Sequence, residues 1–266
     1  MHTDTRPDDE QRDALRIRRF PALLDALLPV QTPAGAALDA ERLHALCAAD
    51  GLLELLDWSR RGVAADPLAC LWLGSLRWYR LVTGRFPDGA PEPPSRGLDA
   101  ALSTALEDGQ FSIAPGSGTV SLRGLASGEM HYPSAPAQPT AQAADALLRV
   151  LPLAFVPYMG LEMLHSWADQ SLCLTQGDQG LRDRAAALVS ALDELAGSAE
   201  EPGLSAHVDE VLRPIRQEQP ENPCVETLEH VVTSMRHTLR LGSDGPQELH
   251  PCLRGFAADW ADVTAP

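Results

Sequence analysis

The chain has 266 residues, of which 44% are hydrophobic and 22% are charged, and its formal net charge is −16. This composition is ordinary for a globular fold and excludes disorder throughout the chain. The strong negative charge would repel a phosphate backbone or an anionic membrane surface, so neither nucleic acid nor a membrane is an expected partner.

The five cysteines are scattered, odd in number and without a CxxC pair, which argues against a disulfide framework and a zinc ribbon. They are expected to be reduced thiols in the core. The first residues are polar and acidic rather than basic and then apolar, so no signal peptide is expected. No apolar run approaches the roughly 20 residues that cross a bilayer, and a cytoplasmic location is therefore predicted.

The N-terminal residues carry alternating charges without an apolar stripe, and residues 1–17 are therefore predicted to form a disordered tail. The remainder, residues 18–266, is predicted to form a single all-helical domain, since its length suits one hydrophobic core. The first helix is expected to begin at Pro21, because proline is favoured at the first helical position and leucines follow on one face.

Two longer helices are predicted next, each with a recognisable start and end. Asp39 suits the N-cap of an amphipathic helix that ends near Gly62. Asp66 followed by Pro67 marks the start of a second helix, which is apolar nearly all round and ends at Gly84. This second helix is the best candidate for the centre of the core.

The rest of the chain combines one stretch rich in helix breakers with further helical patterns. Residues 108–139 are dominated by Gly, Ser, Pro and Ala, which is typical of a long functional or mobile loop. Helical spacing is found at 98–106, 140–153, 159–174 and 179–195, and in three later segments. No segment shows the alternation of a strand, so the predicted fold class is all-α.

Two Glu-x-x-His spacings place both side chains of a pair on one helix face: Glu41 with His44, and Glu162 with His165. In a helical bundle, two such pairs and two further glutamates build a di-iron site. The further glutamates must come from two other helices, and Glu226 or Glu229 supplies only one of them. A di-iron bundle is therefore one hypothesis, and ordinary surface pairs or a satisfied histidine are the simpler interpretation.

Other candidate motifs receive no role. GSGT at residues 116–119 contains the glycines of a phosphate-binding loop, but it follows no predicted strand and opens no predicted helix. Ser171 and Ser190 lack the strand-to-helix elbow of a serine nucleophile. His230 and His237 share one helix face, a spacing that suits a ligand pair but that surface composition also produces.

Three stretches together resemble one known family. They are ADPLACLWLGSLRWYR at 65–80, AADALLRVLPLAF at 143–155 and SLCLTQGDQGLRDRAAALVSALDEL at 171–195. With the order of the helices, they are similar to the ADP-ribosylglycohydrolases, and the resemblance spans about residues 39–260. It implies a compact, orthogonal all-helical domain of the ADP-ribosylglycohydrolase type, whose members are hydrolases with a pair of magnesium ions.

The resemblance also implies where the metals would bind. The family's early Thr-Asp-Asp-Thr motif corresponds to Asp-Ala-Glu-Arg at residues 39–42, and its late Asp-x-Asp-Thr motif to Asp-Gly-Pro-Gln at residues 244–247. Gln176 stands where the family has a histidine after Leu-Thr. Glu41 is the implied catalytic residue. The implied metal ligands that remain are three carboxylates, Asp39, Glu41 and Asp244.

Both motifs have too few carboxylates for a pair of divalent ions. Magnesium demands near-octahedral oxygen coordination, which Glu41 and Asp244 cannot supply alone. Arg42 adds a positive charge beside the early motif, and Pro246 removes a carboxylate and a backbone donor from the late one.

The predicted function follows from this deficit. The chain is predicted to be a non-catalytic relative that keeps a cleft, near residues 108–139, for ADP-ribose, a nucleotide-like ligand or a protein partner. Two alternatives stay open. One is an active magnesium-dependent hydrolase of ADP-ribosyl bonds that uses the three carboxylates in a rearranged site, and the other is the di-iron bundle.

Overall fold

The structure, a computed structural model, describes residues 7–198, 204–218, 223–240 and 248–266. Helices make up 68% of it and strands 3%, which confirms the all-α prediction. None of the described helices combines the length and the apolar character needed to span a membrane. In chain order the elements are α1 (Pro7–Leu27), β1 (Ala36–Leu38), α2 (Ala40–Arg60), α3 (Pro67–Thr83), α4 (Gly97–Glu107), β2 (Phe111–Ile113), α5 (Thr119–Leu125), a 3₁₀ segment (Ala144–Phe155), α6 (Leu161–Cys173), α7 (Gln179–Gly197), α8 (Leu204–Glu218), α9 (Pro223–Arg240), a 3₁₀ turn (Pro251–Leu253) and α10 (Arg254–Thr264).

The predicted starts of α2 and α3 are confirmed. The side chain of Asp39 accepts a hydrogen bond of 2.8 Å from the backbone N of Glu41, and that of Asp66 accepts one of 3.0 Å from Leu68. These bonds satisfy amide groups that have no partner within the helix. Gly84 ends α3 with a φ of 80°, a conformation that glycine adopts without strain.

The 3₁₀ segment lies at the centre of the fold. All of its residues are buried, and it packs against α1, α2, α6, α7 and α9. The sequence predicts a regular helix over 140–153, but Pro152 has no N–H to donate and its ring hinders an α-helical turn. The tighter 3₁₀ winding accommodates this proline in the middle of the core.

The predicted N-terminal tail is corrected for residues 7–17, because α1 begins at Pro7 and runs through Pro21. The guanidinium of Arg16 donates to Asp13 at 2.6 Å and to Asp193 of α7 at 2.9 Å, and all three side chains are buried. The sequence shows no apolar stripe here because ion pairs, together with the single buried Leu15, attach this half of α1 to the core. Residues 1–6 lie outside the described part.

Residues 108–139 do not form one continuous loop. β2 and α5 lie within this stretch, and β2 pairs in parallel with β1, Ala36 opposite Phe111. Each strand has three residues, too few for an alternating pattern to be visible in the sequence. This small sheet holds the loop between β2 and α5 against the start of α2.

Candidate functional site

The early motif of the resemblance lies at the first turn of α2. Asp39 is half-buried, and burial raises the pKa of its carboxyl while the hydrogen bond from the Glu41 amide lowers it. Ala40 and Glu41 are fully buried. Arg42 is half-buried and donates to the backbone carbonyl of Ala26 at 3.3 Å. The motif therefore places one carboxylate at the edge of the core and the other inside it.

Glu41 and His44 are in contact inside the protein, one helical turn apart. Oε2 of Glu41 lies 3.1 Å from Nδ1 of His44, and Nε2 of His44 lies 3.0 Å from Oγ of Ser75 on α3. Both side chains have no solvent exposure. The predicted Glu41-x-x-His44 pair thus exists, as an internal hydrogen-bonded pair.

The hydrogen bonds fix the protonation of this pair. The hydroxyl of Ser75 donates to the carbonyl of Leu71 at 2.9 Å, so its oxygen accepts from Nε2 of His44. Nδ1 of His44 is then the acceptor, and its contact with Glu41 is favourable when the carboxyl holds a proton and donates it. Burial raises the pKa of Glu41, in the direction this neutral acid requires.

A cation from the 3₁₀ segment completes the cluster. Nη1 of Arg149 lies 3.3 Å from Nδ1 of His44, the nitrogen that accepts from Glu41, and Nη2 donates to Oγ1 of Thr175 at 2.6 Å. Burial and then the charge of Arg149 hold the pKa of His44 well below its usual value. His44 is therefore a neutral imidazole. His44, its partners Glu41, Ser75 and Arg149, and Thr175, which accepts from Arg149, are called the polar network below.

An aromatic side chain and a glycine-rich loop close the polar network from outside. The indole of Trp78 donates to the carbonyl of Ala40 at 2.7 Å. The hydroxyl of Ser117 accepts from the amide of Ala40 at 2.9 Å and donates to Ala114 at 2.7 Å. Gly118, with a φ of 68°, leaves no room for a side chain, since a Cβ there would lie 2.9 Å from the indole and 3.0 Å from Cβ of Ala40.

The sequence analysis gives GSGT no role because no strand is predicted before it and no helix after it, and the structure corrects that reason. The motif follows β2 and opens α5, neither of which the sequence predicts. Its serine is nevertheless committed to internal hydrogen bonds, so the loop acts as a cover over the start of α2.

The donors around Glu41 do not fit a pair of magnesium ions. Oε2 of Glu41 is committed to His44, the hydroxyl of Ser121 lies against the same carboxyl, and the guanidinium of Arg149 lies in the same cluster. A fixed positive charge at this distance opposes a divalent cation. Across the described ranges, no group of three or more His, Cys, Asp or Glu side chains is placed to hold a metal. Asp244 and Pro246 lie outside those ranges.

The second Glu-x-x-His pair is arranged differently from the first. Glu162 is exposed at the start of α6, and Nε2 of His165 lies 2.7 Å from Oγ of Ser190. Glu226 is exposed, and Glu229 pairs with an arginine of α8. The structure thus does not gather these side chains around Glu41 and His44 in the part that it describes.

The other residues that the sequence analysis singled out lie outside the polar network. Gln176, which replaces the family's histidine, is fully buried, and its Oε1 accepts from the backbone N of Ala143 at 2.8 Å. Ser171 is buried, and His230 and His237 are exposed on α9.

Sequence analysis missed four members of the site: Ser75, Trp78, Arg149 and Thr175. One of them carried a visible signal, because Arg149 is the sole charged residue in the run ALLRVLPLAF. A charge in such an apolar run is buried only with partners, and it indicates an internal polar cluster. Ser75 and Thr175 carried no comparable signal.

Comparison of the chain with protein-family models, with curated proteins and with solved structures found no match in any of the three.

Proposed function

We propose that this chain is a non-catalytic relative of the ADP-ribosylglycohydrolases that acts by binding ADP-ribose or a similar nucleotide near the start of α2. The observation that supports the absence of catalysis is the position of Glu41, which is fully buried and has Oε2 within hydrogen-bond distance of His44. A carboxyl in this position is closed off from solvent, so neither a substrate nor an attacking water reaches it.

The family relationship is supported by the way the resembling stretches meet. Residues 65–80 supply Ser75, residues 143–155 supply Arg149, and residues 171–195 supply Thr175. All three contact the polar network that begins at the early motif. Segments distant in sequence thus converge where the resemblance expects a single site.

The packing around Ala40 suits its small, uncharged side chain, and this also supports the loss of a metal site. Ala40 stands where the family has an aspartate, and it is packed between Trp78 and Gly118. A carboxylate at this position would have to displace the glycine-rich loop. The packing of the chain is therefore adapted to the smaller, uncharged side chain.

Titration calorimetry with magnesium and with ADP-ribose, separately and together, tests the proposal. We expect ADP-ribose to bind with an affinity that does not depend on magnesium, and no release of ADP-ribose from modified arginine or serine peptides. Magnesium-dependent release would overturn the non-catalytic role and establish the active hydrolase. The absence of any nucleotide binding would overturn the binding role.

A pair of matched variants localises the binding. Asp39→Asn keeps an oxygen that can cap α2 but removes the negative charge, so an anionic diphosphate bound nearby should bind a few-fold more tightly. Asp66→Asn makes the same change at the start of α3 and should leave the affinity unchanged. Equal effects of the two substitutions would show that the ligand does not bind near α2.

A further inference from the structure

A groove of about 570 Å³ lies between the first half of α1, the start of α6 and the end of α7. None of its lining residues belongs to the polar network around Glu41. The lining residues used below include Asp9, Asp13, Tyr158, Leu161 and Asp193.

Large apolar side chains are concentrated beside this groove. Tyr158, Leu161 and Met163 are 50%, 40% and 49% exposed, although they follow one another within six residues of the chain. Tyr158 and Leu161 line the groove together with the half-buried Met159, so its rim carries an exposed apolar group, and such a group marks an interaction surface.

The backbone holds Tyr158 in place at an energetic cost. Its φ is 62°, and among the described residues it is the only one other than glycine with a positive φ. An aromatic side chain is disfavoured in this conformation, which is kept where the surroundings or a function require it. The strain presents the ring at the rim of the groove instead of folding it onto the core.

The charges of the groove leave carboxylates available to a ligand. Of the two arginines that line the groove, Arg16 is occupied by Asp13 and Asp193 through bonds of 2.6 and 2.9 Å, and Arg12 lies 3.8 Å from Asp193. Asp9 and Glu10 are exposed and have no ion pair within the described part of the chain.

The hydroxyl end of Tyr158 faces the same acidic side of the groove. Partial burial raises the pKa of Tyr158, and the negative charges of Asp13 and Glu10 raise it further. An aromatic ring beside carboxylates attracts an organic cation, because the ring face and the carboxylates both have a negative electrostatic potential.

We propose that this groove binds a segment of a protein partner that carries an arginine or lysine next to an apolar residue. The cation lies against the face of Tyr158 and pairs with Asp9 and Glu10. The neighbouring apolar side chain covers Met159 and Leu161. This proposal is independent of nucleotide binding near α2, since the two sites share no residue.

The test compares two peptides that differ only in charge. Acetyl-Leu-Arg-Leu-amide is titrated into the full chain with ¹³C-methyl-labelled methionine, and acetyl-Leu-citrulline-Leu-amide serves as the neutral isostere. We expect the arginine peptide to shift the methyl signal of Met159, which lines the groove, and to bind at least fivefold more tightly than the citrulline peptide. Equal binding of the two peptides, or no shift of the Met159 signal, would overturn the proposal.

A matched pair of variants separates the groove from general surface effects. Tyr158→Gly removes the ring and relieves the positive φ, so this variant stays folded and should lose binding at least fivefold. Tyr132→Gly removes a tyrosine that is also 50% exposed and should bind like the unmodified chain. Unchanged binding by Tyr158→Gly would contradict the assignment.

Discussion

The imidazole of His44 lies parallel to the indole of Trp78, with ring centroids 3.9 Å apart and an angle of 6° between the planes. The stacking fixes the plane of the imidazole, and within that plane the contacts of its nitrogens place Nδ1 towards Glu41 and Nε2 towards Ser75. Because the Ser75 hydroxyl donates to Leu71 and accepts from Nε2, the proton of the Glu41–His44 contact is assigned to the carboxyl group.

Glu41→Gln tests this assignment. A glutamine amide donates to Nδ1 of His44 as the protonated carboxyl does, so we expect a loss of unfolding free energy of under about 1 kcal/mol in urea titrations. Glu41→Ala removes the donor and leaves a cavity, and it should cost about 2–4 kcal/mol. If Glu41 were instead ionised and paired with Arg149, Glu41→Gln would itself cost roughly 3–5 kcal/mol.

The pH dependence of stability, compared between the unmodified chain and Glu41→Gln, gives a second prediction. Because the fold raises the pKa of Glu41 above its ordinary value of 4.5, the group contributes stability that is fully present below pH 4.5 and is lost as the pH rises through the folded pKa. The unmodified chain should thus lose stability relative to Glu41→Gln above pH 4.5, by at most about 1.4 kcal/mol per pH unit. A difference that grows in the opposite direction would show that the fold lowers this pKa.

Ala40→Asp examines the closed packing at the early motif. A carboxylate placed between Trp78 and the glycine-rich loop is desolvated without a partner, so we expect a loss of about 2–4 kcal/mol. Ala37→Asp is the control, because Ala37 is exposed on β1. Added magnesium should not restore the stability of Ala40→Asp. A rise in its Tm with magnesium would instead show that the site binds metal once this single carboxylate is restored.

Two glycines of the glycine-rich loop distinguish the cost of a strained backbone from the cost of a steric contact. Gly116 and Gly118 both have positive φ, 81° and 68°, but only at Gly118 would a Cβ meet other atoms. Gly116→Ala should cost about 1–2 kcal/mol, and Gly118→Ala should cost clearly more because the loop must also move away from Trp78. Equal losses in thermal unfolding would mean that the loop does not press on α2.

The four thiols that the structure describes should be unreactive in the folded chain. Cys47, Cys70, Cys173 and Cys252 are free, as the sequence predicts, and burial raises the pKa of Cys70 to about 11 and of Cys173 and Cys252 to about 12. At pH 8 the thiolate fraction of Cys173 and Cys252 is then on the order of a thousandfold below that of an exposed cysteine, and alkylation by iodoacetamide should slow in proportion. Peptide mapping by mass spectrometry measures each rate, and rapid labelling of Cys252 would contradict its raised pKa.

The sequence predicted the helices whose ends carry a chemical signal. Asp39, Asp66 and Gly84 act locally, through a cap or a left-handed turn, and their effect is visible without knowledge of the fold. The first half of α1 was missed because Arg16 finds its partner Asp193 on α7, a relationship that no local pattern contains.

The candidate site could be predicted only in part for the same reason. The spacing of Glu41 and His44 gave their contact, because residues one turn apart share a helix face. The closure of the site depends on Ser75, Arg149 and Ser117, which reach the start of α2 from three other parts of the chain. Their roles follow from the tertiary arrangement alone.

The hydrogen bond between Ser117 and Ala40 joins residues 77 positions apart, and the two strands pair over a similar separation. Closing so long a stretch costs chain entropy, which the contacts of the loop must offset. The cover over Glu41 therefore depends on the packing of α3 and α4, which lie between Ala40 and Ser117 in the chain, and loosening either helix should open this interior to water.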